Sequence, residues 1–357
     1  MSSISTRKKD HVDLTTSQNS QYLRTTGLDG IQLRHNALPE CSINNIDTSA
    51  QLLGRTFPFP LFISSMTGGY DRATQMNAVI AEFCETLDLP FGVGSQRAML
   101  EDSTLESSFT IVRKKAPNAF IAANIGGVQL IGNLPNDKIR RMTESIEADA
   151  VIVHLNPLQE LVQLEGDRDF QGVLSGIEHL ASKVGIPIIV KETGAGIDAG
   201  AAKKLLNVGV SVIDVAGVGG TSWSKVEHAR LMNADAKYGS SDYVNQYESD
   251  MYARLNEWGN STRYCLESLQ SLAWEREFQI IASGGIRHAT HMIKARCLGA
   301  HFVAVAQPVV PIITHEGLDG LFRWYDLWIK ETKMLMTLLG VTHWNLLGSH
   351  CIISEDS

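Results

Sequence analysis

The chain has 357 residues, of which 44% are hydrophobic and 20% charged, with 30 Gly and 10 Pro. This composition supplies a core and excludes a disordered or fibrous chain. Thirty-one basic against 39 acidic residues leave a net charge of −8, which argues against non-specific nucleic-acid binding but allows a small anionic ligand.

Residues 1–60 precede any strand signal and carry the basic stretch Arg7-Lys8-Lys9-Asp10-His11. Residues 1–13 are polar, with no apolar region of the secretory kind, and no run approaches the ~18 apolar residues of a membrane span. From residue 61, eight short, β-branched-rich runs recur at 61–64, 91–95, 120–125, 150–155, 187–192, 210–216, 279–283 and 302–306. Most are continuously apolar rather than alternating, as in parallel strands buried on both faces. Helix-compatible stretches lie between them at 75–87, 137–147, 172–184, 199–208 and 288–298. Several intervals are near thirty residues, about the length of one βα unit. Eight such units predict a closed (β/α)8 TIM barrel over residues 61–340; an open doubly wound sheet is the alternative. Residues 224–262 read as a long polar loop after the sixth strand, with Tyr238, Tyr243, Tyr247, Tyr252 and Trp258, of the kind that forms a lid. Residues 320–339 have helical spacing and close the barrel, and 341–357 form a C-terminal tail. The five cysteines are scattered and form no CxxC pair, which predicts neither a disulfide framework nor structural zinc and fits a reducing cytoplasm.

Each run ends in a polar or Gly-rich signature, and in a barrel these ends share the catalytic rim. Gly284-Gly285-Ile286-Arg287 opens a helix, and bare amides there suit a phosphate, although a tight turn would use the same residues. The second Gly-rich loop, Gly217 to Thr221, favours a phosphate-bearing cofactor. Lys191 ends a strand and faces the barrel mouth, toward either an electron-rich cofactor edge or a pair with Glu192 or Asp214. His154 and Asn156 share a strand face, and Gln159-Glu160 follows the Pro157 turn. Glu160 suits a hard cation such as Mg2+ or, equally simply, the first turn of a helix. Arg97 sits at a strand end, whereas Arg7 and Lys8 reach the rim only if the N-terminus folds over it.

These loops resemble those of a known family, the flavin-dependent type II isopentenyl diphosphate isomerases. The likeness runs from Arg7 to about Pro308. Its most specific parts are Arg7-Lys8-x-x-His11, Met66-Thr67-Gly68-Gly69, Gly94-Ser95-Gln96-Arg97, His154-Leu155-Asn156-Pro157-Leu158-Gln159-Glu160, Glu165-Gly166-Asp167, Val190-Lys191-Glu192 and Gly219-Gly220-Thr221-Ser222-Trp223. The resemblance implies FMN on the rim, Mg2+, NADPH as reductant of the flavin, and interconversion of isopentenyl and dimethylallyl diphosphates. It implies that Ser65, Met66, Thr67, Ser95, Asn124, Lys191 and Thr221 hold the flavin. Gly285, Ile286, Arg287, Ala306 and Gln307 would hold its phosphate end. Arg7, Lys8, Ser95, Gln96 and Arg97 would bind the diphosphate, with His154 and Asn156 beside it. Gln159 would sit at the allylic carbons and Glu160 on the metal. Residues 1–60 would cover the rim. A cytoplasmic homo-oligomer acting on a small diphosphate, with no nucleic-acid or membrane partner, is expected.

Two stretches depart from the family's pattern: Ala300-His301, where an acidic residue is usual, and Ala304, where Gly is usual, beside the expected phosphate end. The tail from Thr342 is atypical as well. The competing enzyme is an FMN-dependent oxidoreductase of the 2-hydroxyacid oxidase or dehydrogenase kind, which needs a catalytic His late in the barrel; His288, one residue beyond the GGIR motif, is the nearest. A non-enzymatic phosphate-binding barrel would not need His154, Gln159 and Glu160.

Overall fold

A computed structural model describes residues 20–238 and 246–353, together with His11, Leu14 and Thr15. Arg7, Lys8 and Tyr243 lie outside the described residues. The eight apolar runs form eight parallel strands: β1 (Leu61–Ile63), β2 (Phe91–Gly92), β3 (Ile121–Gly126), β4 (Ala150–Leu155), β5 (Ile188–Glu192), β6 (Val212–Asp214), β7 (Gln279–Ala282) and β8 (Phe302–Val305). They pair in chain order, and β8 returns to β1 to close a barrel. The open sheet is thereby excluded.

Alternation along each strand splits the apolar residues between two cores. Phe62, Ala122, Ile152, Ile189, Val212, Ile281 and Ala304 point into the barrel. Their neighbours Ile63, Ala123, Val153, Val190, Ile213, Ala282 and Val305 pack outward against the helices. Both sets are buried, which is why the runs are continuously apolar. The same alternation carried past the last apolar residue brings Asn124, His154, Lys191 and Ser283 inward, at the C-terminal mouth.

The opposite end is plugged by a hairpin, residues 50–57. Leu52 and Phe57 are fully buried against the interior residues, with Phe57 edge-on to Phe120 and Phe302 at 5.9 and 5.7 Å. Burial of two such side chains contributes ~1.5–3 kcal/mol each. Residues 20–31, by contrast, run along the catalytic rim, where Tyr22 N donates to Gly220 O at 2.9 Å.

Within the stretch expected as a long loop after β6, the described residues form two helices, Trp223–Tyr238 and Gln246–Leu255, and a third, Thr262–Glu275, begins at its end. The buried face of the first includes Ser224 and Glu227 beside Val226 and Leu231. That polar inner face hides the helical period from a hydrophobicity reading. The final helix, Val309–Leu339, begins earlier than the expected 320 and changes direction at Gly317 (φ 64°, ψ −150°). The atypical tail is packed: Trp344 is buried, its indole donates to His301 O at 3.1 Å, and Ile352–Ile353 pairs with Gln32–Leu33. His301 Nδ1 accepts from Ile280 N, just ahead of β8, so this departure belongs to the closed end and not to the mouth. Ala304 lines the cavity described next.

Candidate active site

The strand ends enclose one cavity of about 280 Å³. It is lined by every residue expected in the site except Arg7 and Lys8, which are not described, and Gln96. Gln96 is fully buried. Its Oε1 accepts from Asn124 N at 3.0 Å, and its Nε2 donates to Met142 O at 2.9 Å. Ser95 and Arg97 face the cavity, whereas Gln96 turns outward and braces β3 against the helix Asn136–Glu144. Its side-chain amide is thus committed to the backbone on both sides. Arg97 is half-exposed, with Nε 2.7 Å from Glu101 Oε1.

At the end of β4 the polar groups form a directed chain. His154 Nδ1 lies 2.7 Å from Asn124 Oδ1. Asn156 Nδ2 donates to Gln159 Oε1 at 3.2 Å and to Glu160 Oε1 at 3.0 Å. The second Glu160 oxygen accepts from Asp167 N at 2.9 Å, which gives the Glu165-Gly166-Asp167 motif its place. Gln159 Nε2 donates to Glu227 Oε1 at 2.9 Å. With Asn156 at its oxygen and Glu227 at its nitrogen, the Gln159 amide has one orientation.

Glu227 escapes the sequence reading. It is buried, lies 2.8 Å from His11 Nε2 and 2.5 Å from Arg230 Nη1, and Arg230 in turn reaches Glu165 at 2.8 Å. Burial alone would raise its pKa; His11, Arg230 and Gln159 together hold it down at about 2. The available signal was its position four residues after Trp223, on the same helix face. His11 carries no weight as an isolated residue, yet it docks at the mouth with its ring edge-on to Trp223 at 5.1 Å. The N-terminal arm therefore reaches the rim at least as far as His11.

Across the cavity, Lys191 is 8% exposed, and its Nζ donates to the Glu192 carbonyl at 2.6 Å. The Glu192 carboxylate instead accepts from the amides of Thr193, Gly194, Ala195 and Gly196, shaping that loop. Burial lowers the Lys191 pKa, opposed by Asp214 and Glu192, and raises those of both carboxylates. Arg287 Nη1 donates to Gln307 Oε1 at 2.5 Å.

Two hydroxyls mark where a ligand fits. Ser65 Oγ and Thr67 Oγ1 are buried without a hydrogen-bond partner, beside a mouth that also holds the buried ammonium of Lys191. Unpaired buried polar atoms are costly, so a bound group that pairs with them is expected. The flavin fits on these grounds. For the metal the donor set is narrower. Among the described residues no three His, Cys, Asp or Glu side chains form a metal site. Glu160 fits only a cation that draws its other ligands from substrate oxygens and water. His288 does not line the cavity; it stacks on His291 at 3.9 Å.

The family model of the FMN-dependent dehydrogenases matches residues 156–354. The fold is shared with the flavin-binding domain of baker's yeast flavocytochrome b2 (TM-score 0.65, 18% identity, covering 96% of this chain and 79% of that one). It is also shared with a mandelate oxidase variant (TM-score 0.63, 15% identity, 96% of each chain). Barrel, rim cavity and family match define an FMN-dependent TIM-barrel enzyme. Similarity at higher identity narrows this. An isopentenyl-diphosphate delta-isomerase of Chlorobium luteolum is 41% identical over 343 residues, 95% of this chain and 92% of the relative. One from Stutzerimonas stutzeri is 41% identical over 333 residues, 93% and 92%. The chain belongs to the isopentenyl-diphosphate delta-isomerases, in their FMN-dependent type II form. Among the described residues no helix is long and apolar enough to cross a membrane.

Proposed function

We propose that the chain shuttles a proton between the two ends of the isopentenyl unit on reduced FMN, with Mg2+ on Glu160 and NADPH as the source of reducing equivalents. The observation that carries this reading is the confluence of two half-sites in one cavity: unpaired Ser65 and Thr67 hydroxyls with Lys191 on one side, and the oriented Gln159 amide with Glu160 on the other. No ordinary side chain protonates an unactivated alkene readily. A bound reduced flavin supplies an acid/base group and stabilises adjacent positive charge.

The chain's own residues then have distinct tasks. Lys191 and Asn124 fix the flavin ring face, with Ser65, Met66, Thr67, Ser95 and Thr221 around it. Gly285 to Arg287 with Ala306 and Gln307 hold its phosphate. Arg97, Ser95, Arg7 and Lys8 bind the diphosphate, aided by His154. Asn156 and Glu227 keep the Gln159 amide aligned at the allylic carbons. Gln96 is dropped from this set for the burial described above. Fixing an alkene by its distant diphosphate lowers the entropic part of the barrel reaction's activation free energy. The protein acts in the cytoplasm as a homo-oligomer.

Incubation with isopentenyl diphosphate, FMN, Mg2+ and NADPH tests the reading by product analysis. Dimethylallyl diphosphate should accumulate with only catalytic consumption of NADPH; stoichiometric consumption would indicate an oxidoreductase. Glu160→Gln should lower turnover, with partial recovery at raised Mg2+, because an amide is a weaker Mg2+ ligand than a carboxylate. Equal loss at every Mg2+ concentration would assign Glu160 elsewhere. Arg7→Ala combined with Lys8→Ala should raise KM about 100-fold, on the order of the loss of two charge-assisted contacts, and leave FMN affinity unchanged. An unchanged KM would leave Arg97 as the main diphosphate cation.

A further inference from the structure

Residues 20–31 touch both glycine loops of the rim, Gly217 to Thr221 and Gly284 to Arg287, the second of which the proposed reading gives to the flavin phosphate. Gln21 forms an antiparallel bridge with Thr221, and its Nε2 donates to Thr221 Oγ1 at 3.3 Å. Its Oε1 accepts from Arg287 Nη2. Arg287 is therefore held by two amide oxygens, Gln21 Oε1 and Gln307 Oε1. Lys225 Nζ fixes the Gln21 carbonyl at 2.7 Å. Thr26 lies behind both glycine loops. A Cβ on Gly219 or on Gly285 would come within 2.5 Å of Thr26 Cγ2, and both glycines have positive φ, 132° and 75°. These glycines thus let the N-terminal segment press against the loops.

The chemistry of this arrangement is specific. Burial disfavours the charged form of Arg287, and among the described residues no carboxylate pairs with it. Two neutral acceptors orient the guanidinium without neutralising it, so its charge remains for an anion. We propose that Gln21 is a positioning residue for the cofactor phosphate. With Gln307 it aims Arg287 into the site, and docking of the N-terminal segment is thereby linked to phosphate binding. The proposal rests on the reading that the FMN phosphate meets Arg287.

The full-length protein, freed of flavin, is titrated with FMN and with riboflavin, which lacks the phosphate, and flavin fluorescence is followed. Wild type should prefer FMN, and Arg287→Ala should remove most of that preference. Gln21→Leu should lower the FMN-to-riboflavin affinity ratio about tenfold with riboflavin binding unchanged, the cost of losing one charged hydrogen bond. Gln21→Glu keeps an acceptor for Arg287 but neutralises it, so the ratio should fall at least as far, and most at low salt. Equal loss of FMN and riboflavin in Gln21→Leu would reduce Gln21 to a structural role and overturn the proposal. A wild-type ratio in Gln21→Leu, with the ratio lost in Arg287→Ala, would overturn it while leaving the phosphate reading intact. No preference for FMN in wild type would overturn that reading and the proposal together.

Discussion

Glu227→Gln is expected to lower kcat about 100-fold while leaving FMN affinity nearly unchanged. The carboxylate accepts from Gln159 Nε2 at 2.9 Å and is itself held by His11 and Arg230. An amide in its place can turn its own NH2 toward Gln159, and the Gln159 side chain then loses its single orientation. A displacement of about 1 Å at a reacting group costs about that factor in rate. The substitution also leaves Arg230 with Glu165 alone, and His11 loses its anchor. The N-terminal arm should therefore be cut faster by protease. Unchanged kcat would remove Glu227 from the catalytic arrangement. The same network predicts an acid sensitivity. The folded pKa of Glu227, about 2, lies below the ordinary 4.5, so its contribution is present above 4.5 and is lost as pH falls toward 2. That difference corresponds to roughly 3 kcal/mol. Thermal unfolding followed over this range should show a steeper loss in wild type than in Glu227→Gln.

The barrel was legible because its strands are buried on both faces, which leaves continuous apolar runs that few other structures produce. Most of the cavity was legible too, since the loops that end those runs are short and share one rim. Gln96 shows the limit. It lies inside a specific motif, yet a motif does not say which of three adjacent side chains turns away, and here the buried amide serves the backbone of β3. Glu227 shows a different limit. Its helix presents a polar face to the site rather than an apolar face to the core, so the stretch read as a loop. Its importance comes from partners at His11, Gln159 and Arg230, and two of these are distant in sequence. The same holds for His301, whose ring accepts from the Ile280 amide at the closed end of the barrel, a partner distant in sequence.

Lys191→Met should weaken FMN binding about 100-fold, within the range for removing one partner of a buried charged contact. The ammonium sits at 8% exposure among Glu192 and Asp214, and burial lowers its pKa while it raises theirs. Burial thus disfavours the charged form of all three groups, and a ligand that pairs with them offsets that cost. Reduced flavin carries negative charge near neutral pH, so the variant should lose more affinity for the reduced cofactor than for the oxidised one. The pH dependence has a definite sign. The folded pKa lies below the ordinary 10.5, so between the two values the unfolded chain binds the extra proton. Stability of the flavin-free protein should then rise with pH across that window, and this part of the rise should be absent in Lys191→Met. Melting temperatures against pH, compared between the two proteins without flavin, measure it. Added FMN should raise the melting temperature of wild type far more than that of the variant, since stabilisation follows the ligand's affinity for the folded state. Equal stabilisation of both by FMN would mean that Lys191 does not touch the flavin, and the two orphaned hydroxyls of Ser65 and Thr67 would then need another partner.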